Sequence, residues 1–161
     1  MCVCLTCLAV DASEIKASSI EWLREYHAAG DALNPDVSVP KFYTPDCVMR
    51  FPGQPPLQGH DAIKGFFTKQ FSLLDRMTHT IGHVDVVSDR IYQEAKIEYV
   101  VKGDPEQKVI KIDGYLNLRT VRPATTERLA GAVWHHDAIL DPEDISGQKT
   151  SVWYWVAKDS I

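Results

Sequence analysis

The spacing of apolar residues changes once along this chain, and that change limits the folds it can adopt. In two long segments before residue 75, apolar residues recur every three or four positions, which is typical of amphipathic helices. From Thr78 onward they alternate with polar residues, which indicates strands with one side facing water. Helices followed by an antiparallel sheet predict the α+β class.

The pattern also predicts the order of the elements. Helices are expected over Ile15–Leu33 and His60–Leu74, with a short helix or turn at Val37–Tyr43 between them. A turn at Thr44–Asp46 leads into a short strand at Cys47–Phe51. Four longer strands follow the second helix: Thr78–Val87, Ile91–Val101, Val109–Arg119 and Leu129–Asp137. We expect a flexible N-terminus over 1–12, one domain over 13–140 and a C-terminal extension over 141–161 that ends in an edge-strand pattern.

Composition and motifs narrow the function classes. The net charge is −5 and basic residues are not clustered, so binding to nucleic acid or to an anionic membrane is not expected. No segment has the roughly 20 apolar residues of a membrane span or the basic start of a signal peptide, which predicts a cytoplasmic protein. Phosphate-binding, dinucleotide-binding and nucleophile-elbow motifs are absent, so we expect no cofactor. The cysteines lack finger-type spacing and are read as free thiols: Cys2, Cys4, Cys7 and Cys47.

Several segments carry a resemblance to a known family: the helix with Trp22, Tyr26, Gly30 and Asp31, FYTPDCVMRF at 42–51, PPLQGHDAIKGFF at 55–67, MTHTIGHV at 77–84, the strand end YVVKGDP at 99–105 and the strand Leu129–Asp137. The chain resembles the SnoaL-like branch of the nuclear transport factor 2-like superfamily. The resemblance implies a cone-shaped α+β barrel, often assembled as a homodimer through its sheet. It also implies an apolar pocket that serves polyketide cyclases, dehydratases, isomerases or epoxide hydrolases.

Three polar residues are the candidates for catalysis. His79 stands early on the first long strand, where the resemblance implies a pocket histidine, and imidazole can exchange a proton near neutral pH. The alternative is a core histidine bonded to a backbone carbonyl. Asp113 is a general base or orients His79 if its strand face lines the pocket, and is merely solvated if that face is wet. Arg50 either binds a substrate oxygen or makes a surface ion pair.

Aromatic residues are the candidates for substrate binding. They share large apolar surfaces, some with a polar edge: Tyr26, Tyr43, Phe67, Tyr99 and Tyr115. For each of them, ordinary core packing is the alternative. The resemblance implies that the last strand of the domain also lines the pocket, which would turn Trp134 and His136 inward.

A metal site is not expected. His79 and His83 would share a strand face but stand about 13 Å apart, too far for one zinc ion.

The resemblance implies a cofactor-independent enzyme of secondary metabolism. It would cyclise, dehydrate or isomerise a small apolar or polycyclic substrate of polyketide or terpenoid type. The alternative is a non-catalytic ligand-binding or dimerisation domain, for which the apolar pocket alone is sufficient.

Overall fold

The computed structural model describes residues 12–51 and 54–120, and the backbone of 129–135. Within these ranges there are three helices and six strands. The helices are α1 (Ala12–Asp31), α2 (Pro35–Phe42) and α3 (Gly59–Phe71). The strands are β1 (Tyr43–Arg50), β2 (Leu57–Gln58), β3 (Leu74–Val87), β4 (Arg90–Val101), β5 (Val109–Thr120) and β6 (Leu129–His135).

Local sequence explains where the helices begin and end. Asn34 has extended backbone angles and its side chain accepts a hydrogen bond from the amide of Asp36, so it caps α2. Pro35 occupies the first turn, where a missing N–H costs nothing. In α1, buried residues recur at Ser19, Leu23 and His27, four positions apart, so one stripe of the helix faces the sheet.

All six strands form one sheet in the order β2-β1-β6-β5-β4-β3. Strands β3, β4, β5 and β6 pair antiparallel in sequence order, while β6 runs parallel to β1. Burial alternates along β4, with Ile91, Ala95 and Ile97 on the inner face. The predicted α+β class is thus confirmed, and so is the alternation along this strand.

The core lies between the inner face of the sheet and the helices. Its fully buried large side chains come from all three helices and from strands β1, β4 and β5: Leu23, Val39, Phe42, Met49, Ile63, Gln70, Ile91, Ile97, Tyr99, Val100 and Leu118. Helix α1 packs along β3 and α3 packs on β1. A helix thus faces each end region of the sheet, and the two helices enclose the space between them.

Two local predictions are wrong. The expected turn at Thr44–Asp46 is part of β1, whose register against β6 is irregular between Tyr43 and Val48. An irregularity of this kind accommodates Pro45 inside a strand. Helical spacing also predicts Ala62 in the buried stripe of α3, but it is exposed. No described helix is long and apolar enough to cross a membrane.

Candidate active site

The candidate site centres on an ion-pair-like contact between α1 and β3. Asp31 is the last residue of α1, and His79 lies on the inner face of β3 between Met77 and Ile81. One carboxylate oxygen of Asp31 lies 2.6 Å from Nδ1 of His79, and the other accepts a hydrogen bond of 3.0 Å from the His79 backbone N–H. The two side chains are only 6% and 22% exposed. Asp31 therefore fixes both the backbone and the ring of His79.

This contact determines the form of the His79 ring. An ionised carboxylate accepts hydrogen bonds but donates none, so the ring proton of neutral His79 lies on Nδ1. The Nε2 atom then carries a lone pair, and no group in the described part of the chain forms a hydrogen bond with it. A buried imidazole with one fixed and one available nitrogen is suited to general acid–base chemistry.

A second histidine stacks on the first. The rings of His27 and His79 have centroids 4.5 Å apart and planes inclined by 25°. The Nε2 atom of His27 lies 3.0 Å from Oε1 and 2.7 Å from Nε2 of Gln93, a residue of β4 that is 3% exposed. Burial, together with charge on the neighbouring His79, lowers the pKa of His27 to about 4. His27 is therefore neutral at physiological pH.

Inside the fold, the two histidines face a small aromatic cavity of about 40 Å³. Its walls come from α1, α2, β1, α3 and β3: Tyr26, His27, Gly30, Ser38, Tyr43, Phe67, Phe71, Met77 and His79. The hydroxyl oxygens of Tyr26 and Tyr43 lie 2.7 Å apart, close enough for one to donate to the other. Burial raises the pKa of both phenols, so both remain protonated. The volume is suited to a water molecule rather than to a polycyclic substrate.

On the other side of the same histidines, α1 and β3 enclose an open groove of about 640 Å³. Helix α1 contributes Lys16, Ile20, Arg24, His27, Ala28 and Asp31, and β3 contributes residues 79–84. This volume lies in the range of small-molecule sites. His27 and His79 line both spaces, so the histidine pair forms the wall between an open groove and a closed aromatic cavity.

The predicted partner of His79 is on the wrong face of the sheet. His79 is opposite Ile97, which is opposite Ile112, so these three residues share the inner face. Asp113 is exposed on the outer face, and Tyr115 is 45% exposed there. The alternation of β5 continues without a bulge against β4, so Asp113 cannot contact His79. Asp31 occupies the position that Asp113 was expected to take.

The other predicted site residues lie in different parts of the structure, and only some of them line the cavity. Tyr26, Tyr43 and Phe67 line the aromatic cavity. Tyr99 is 1% exposed in the hydrophobic core and lines neither space, and Arg50 is exposed at the end of β1, away from both. The side chain of Trp134 and all of His136 lie outside the described residues, as do the N-terminal cysteines and the C-terminal extension.

The expected shared face of His79 and His83 is also wrong. A bulge between Ile81 and Val84 adds one residue to β3 and reverses the alternation, so Val84 is buried and His83 is exposed. His83 contacts Asp85 at 3.1 Å on the surface. In the described part of the chain, no three His, Cys, Asp or Glu side chains come close enough to bind a metal ion.

Sequence reasoning missed Asp31, His27 and Gln93 as site residues. A signal for the first two was present, since Leu23, His27 and Asp31 are four positions apart and share the buried stripe of α1. Gln93 was also visible, as a polar residue at an inward position of an otherwise apolar strand face. What the sequence lacked was the juxtaposition of the end of α1 with residue 79.

A comparison with protein families gives one match that covers most of the chain. The model of the SnoaL-like domain matches residues 23–139. The matched range contains Asp31, His79 and Gln93, the residues that form the site. A comparison with curated proteins finds no significant match.

Solved structures share the fold. A protein with a ketosteroid isomerase-like fold from Catenulispora acidiphila has a TM-score of 0.61 and 18% identity, over 72% of this chain and 85% of that one. The epoxide hydrolase/cyclase-like enzyme SalBIII of salinomycin pyran-ring formation has a TM-score of 0.62 and 18% identity, over 76% of this chain and 92% of that one. ActVI-ORFA from Streptomyces coelicolor has a TM-score of 0.63 and 16% identity, over 77% of this chain and 98% of that one. At these identities the likeness concerns the fold alone.

Proposed function

The chain belongs to the SnoaL-like domain family, and we propose that it is an enzyme that transforms a small apolar substrate by proton transfer at His79. The reaction class is cyclisation, dehydration or isomerisation of a polyketide- or terpenoid-like compound, without a cofactor. The observation that carries this proposal is the double contact of Asp31 with the ring and the backbone of His79.

The geometry supports a specific order of proton movements. Nε2 of His79 takes a proton from a carbon beside a carbonyl group, which leaves an enolate and a positively charged imidazolium. Asp31 stabilises that imidazolium through the Nδ1–H bond of 2.6 Å. The imidazolium then returns the proton, to a leaving hydroxyl in a dehydration or to another carbon in an isomerisation. One residue thus serves as base and then as acid.

The hydroxyl pair of Tyr26 and Tyr43 supplies a hydrogen-bond donor near this histidine. One hydroxyl donates to the other, so one of the two protons remains available to an oxygen in the cavity. Both phenols stay neutral because burial raises each pKa. A neutral donor can stabilise a developing enolate oxygen that extends past His79 into the cavity, directly or through a water molecule.

We place the substrate in the groove between α1 and β3. A polycyclic compound does not fit in about 40 Å³, whereas about 640 Å³ accommodates it. Ile20, Ala28 and Ile81 give the groove an apolar lining beside His79, and Lys16 and Arg24 give it polar ends. The substrate therefore reaches Nε2 from the groove side, while the aromatic cavity holds the tyrosine donors.

The test is an exchange assay on a panel of compounds. Polyketide-like diketones and terpenoid hydroxy ketones are incubated with the protein in D₂O, and mass spectrometry records deuterium uptake or loss of water. We expect His79→Gln to lower the rate by about 100-fold or more, because it removes the only proposed base. Asp113→Asn, which changes an exposed residue on the outer face of the sheet, is the control and should leave the rate unchanged. Equal rates in both variants would contradict the role of His79.

The second candidate function is a ligand-binding domain without chemistry. It is favoured by the exposed positions of Arg50 and Asp113, which remove two of the three predicted catalytic residues from the groove. Binding of a panel compound to the groove without exchange or conversion would support it. A variant with a blocked groove, Ala28→Trp, should then lose binding.

We also propose that the protein is a homodimer through the outer face of its sheet. Tyr92 and Tyr115 are 42% and 45% exposed there, on adjacent strands. Light scattering on the purified protein measures the mass directly. A dimer that becomes a monomer in Tyr115→Lys would support this interface.

A further inference from the structure

The stacked pair of His27 and His79 is a feature that the proposed reaction does not require. A general base needs one imidazole, and Asp31 already holds it. His27 nevertheless places a second, buried ring 4.5 Å from the first. Its polar contact is with the amide of Gln93.

Gln93 differs from Asp31 in the property that matters for a neighbouring imidazole. Asp31 offers His79 a negative charge, which favours a positively charged ring. Gln93 offers His27 a neutral amide, which can donate to or accept from a neutral ring but adds no charge to stabilise a cation. The two histidines are thus chemically alike and 4.5 Å apart, but only His79 is bonded to a charged partner, whereas His27 is buried beside an uncharged one.

We propose that Gln93 and His27 are positioning residues that keep a neutral ring stacked against His79, so that a proton taken up by the pair goes to His79. Two imidazolium ions at this distance would repel each other strongly in a buried setting. Because His27 is buried and its bonded partner Gln93 carries no charge, the ring beside Asp31 takes the proton. The catalytic meaning of this inference rests on the proposed function, but its physical content does not.

Other charged groups around His27 do not alter this assignment. Those that line the same spaces come from α1, β1 and β3: Lys16, Arg24, Tyr26, Asp31, Tyr43, His79 and His83. Asp31 is the acidic member of the set and is bonded to His79. Gln93 from β4 is uncharged. Burial lowers the pKa of His27 to about 4, in agreement with the geometry.

The test uses protein labelled with ¹⁵N at histidine and needs no substrate. Long-range ¹H–¹⁵N spectra report the charge and the tautomer of each ring over a pH series. In the wild type we expect His27 to stay neutral at pH values where His79 carries two ring protons. We also expect neutral His79 to carry its proton on Nδ1. The inference is overturned if His27 becomes doubly protonated before His79 does.

The decisive variant is Gln93→Glu, which replaces the neutral amide by a carboxylate of nearly the same shape. We expect His27 to become the charged ring at neutral pH, and protonation of His79 to move to lower pH by at least about half a unit. Gln58→Glu makes the same change at an exposed position and should move neither titration. Unchanged titrations in a folded Gln93→Glu protein would overturn the inference.

Two further measurements keep this test independent of folding and of the reaction. If Gln93→Glu does not fold, the order of protonation in the wild type still decides the matter. If the protein turns over a substrate, the acid limb of kcat/KM should move to lower pH in Gln93→Glu, which loss of stability alone would not produce. Absence of turnover would count against the proposed function and would leave the spectra valid.

Discussion

Two histidines of strand β3 each contact an aspartate, and a comparison of the two pairs shows why only one of them forms a candidate site. His79 and Asp31 are 6% and 22% exposed and 2.6 Å apart, whereas His83 and Asp85 are 64% and 60% exposed and 3.1 Å apart. The second pair is local in sequence, and the first joins residues 48 positions apart. Water screens the second pair and competes for its hydrogen bonds, so only the first fixes a ring.

The bulge between Ile81 and Val84 separates the two pairs. Because of the bulge, β3 has apolar residues on its inner face both before and after it, while His83 faces outward. Without it, His83 would lie on the same face as His79. The following predictions test this difference between the buried and the exposed pair, from the largest expected effect to the smallest.

Asp31→Asn should have the largest effect. An amide has one acceptor oxygen and a donor group, so it cannot accept from both the N–H and Nδ1–H of His79. If the amide nitrogen faces Nδ1, the ring proton moves to Nε2 and the base is lost. We expect the exchange rate to fall by about 100-fold or more, measured as deuterium uptake. Asp85→Asn, the control, should stay within about twofold; a similar loss in both would mean that the pairs are equivalent.

The pH dependence of stability should also separate buried from exposed histidines. Unfolded His27 binds a proton below pH about 6.5, whereas the folded residue resists protonation down to about 4. The unfolded state therefore binds more protons in this window, and stability falls as the pH falls through it. The free energy of unfolding should therefore fall by about 2 kcal/mol less between pH 7 and 4.5 in His27→Phe than in the wild type.

Urea unfolding at the two pH values measures this effect, as the difference between wild type and variant. His83→Phe is the control, because it replaces an exposed ring instead of a buried one. An unchanged pH dependence in His27→Phe would show that His27 protonates freely in the folded protein.

The bulge itself can be tested at Gly82. A Cβ added there would lie 3.1 Å from the Cβ and the carbonyl oxygen of Glu94, which requires the strands to shift. We expect Gly82→Ala to destabilise the fold by about 1 kcal/mol. Gly65→Ala in α3 meets no atom within 4 Å, and should stabilise by up to about 1 kcal/mol because alanine favours helices. Thermal unfolding of both variants measures the contrast.

Loss of the exposed pair should have the smallest effect. Asp85 also lies 3.9 Å from Lys16, so Asp85→Asn removes two surface ion pairs. Such pairs contribute little in water, and we expect a change in unfolding free energy below about 0.5 kcal/mol. A larger loss, measured by urea unfolding at low salt, would mean that the exposed pair anchors α1 to β3.

Much of the fold could be predicted because its signals are local. The alternation of Ile91, Ala95 and Ile97 is a property of one strand, and so is the inward position of His79. The stripe on α1 through Leu23 and His27 likewise depends only on helical spacing. The prediction of a turn at Thr44–Asp46 was wrong because these residues belong to strand β1, which pairs irregularly with β6, a strand far along the chain.

The sequence by itself determined the element types, the α+β class, the family and the inward position of one histidine, His79. Only the tertiary structure decided its partners. Asp113 shares a sheet with His79 but faces the other way, whereas Asp31 reaches it from the end of a helix. The reason is physical: periodicity fixes which side of an element a residue occupies. The packing of α1 against β3, which sequence spacing does not encode, fixes which residues meet there.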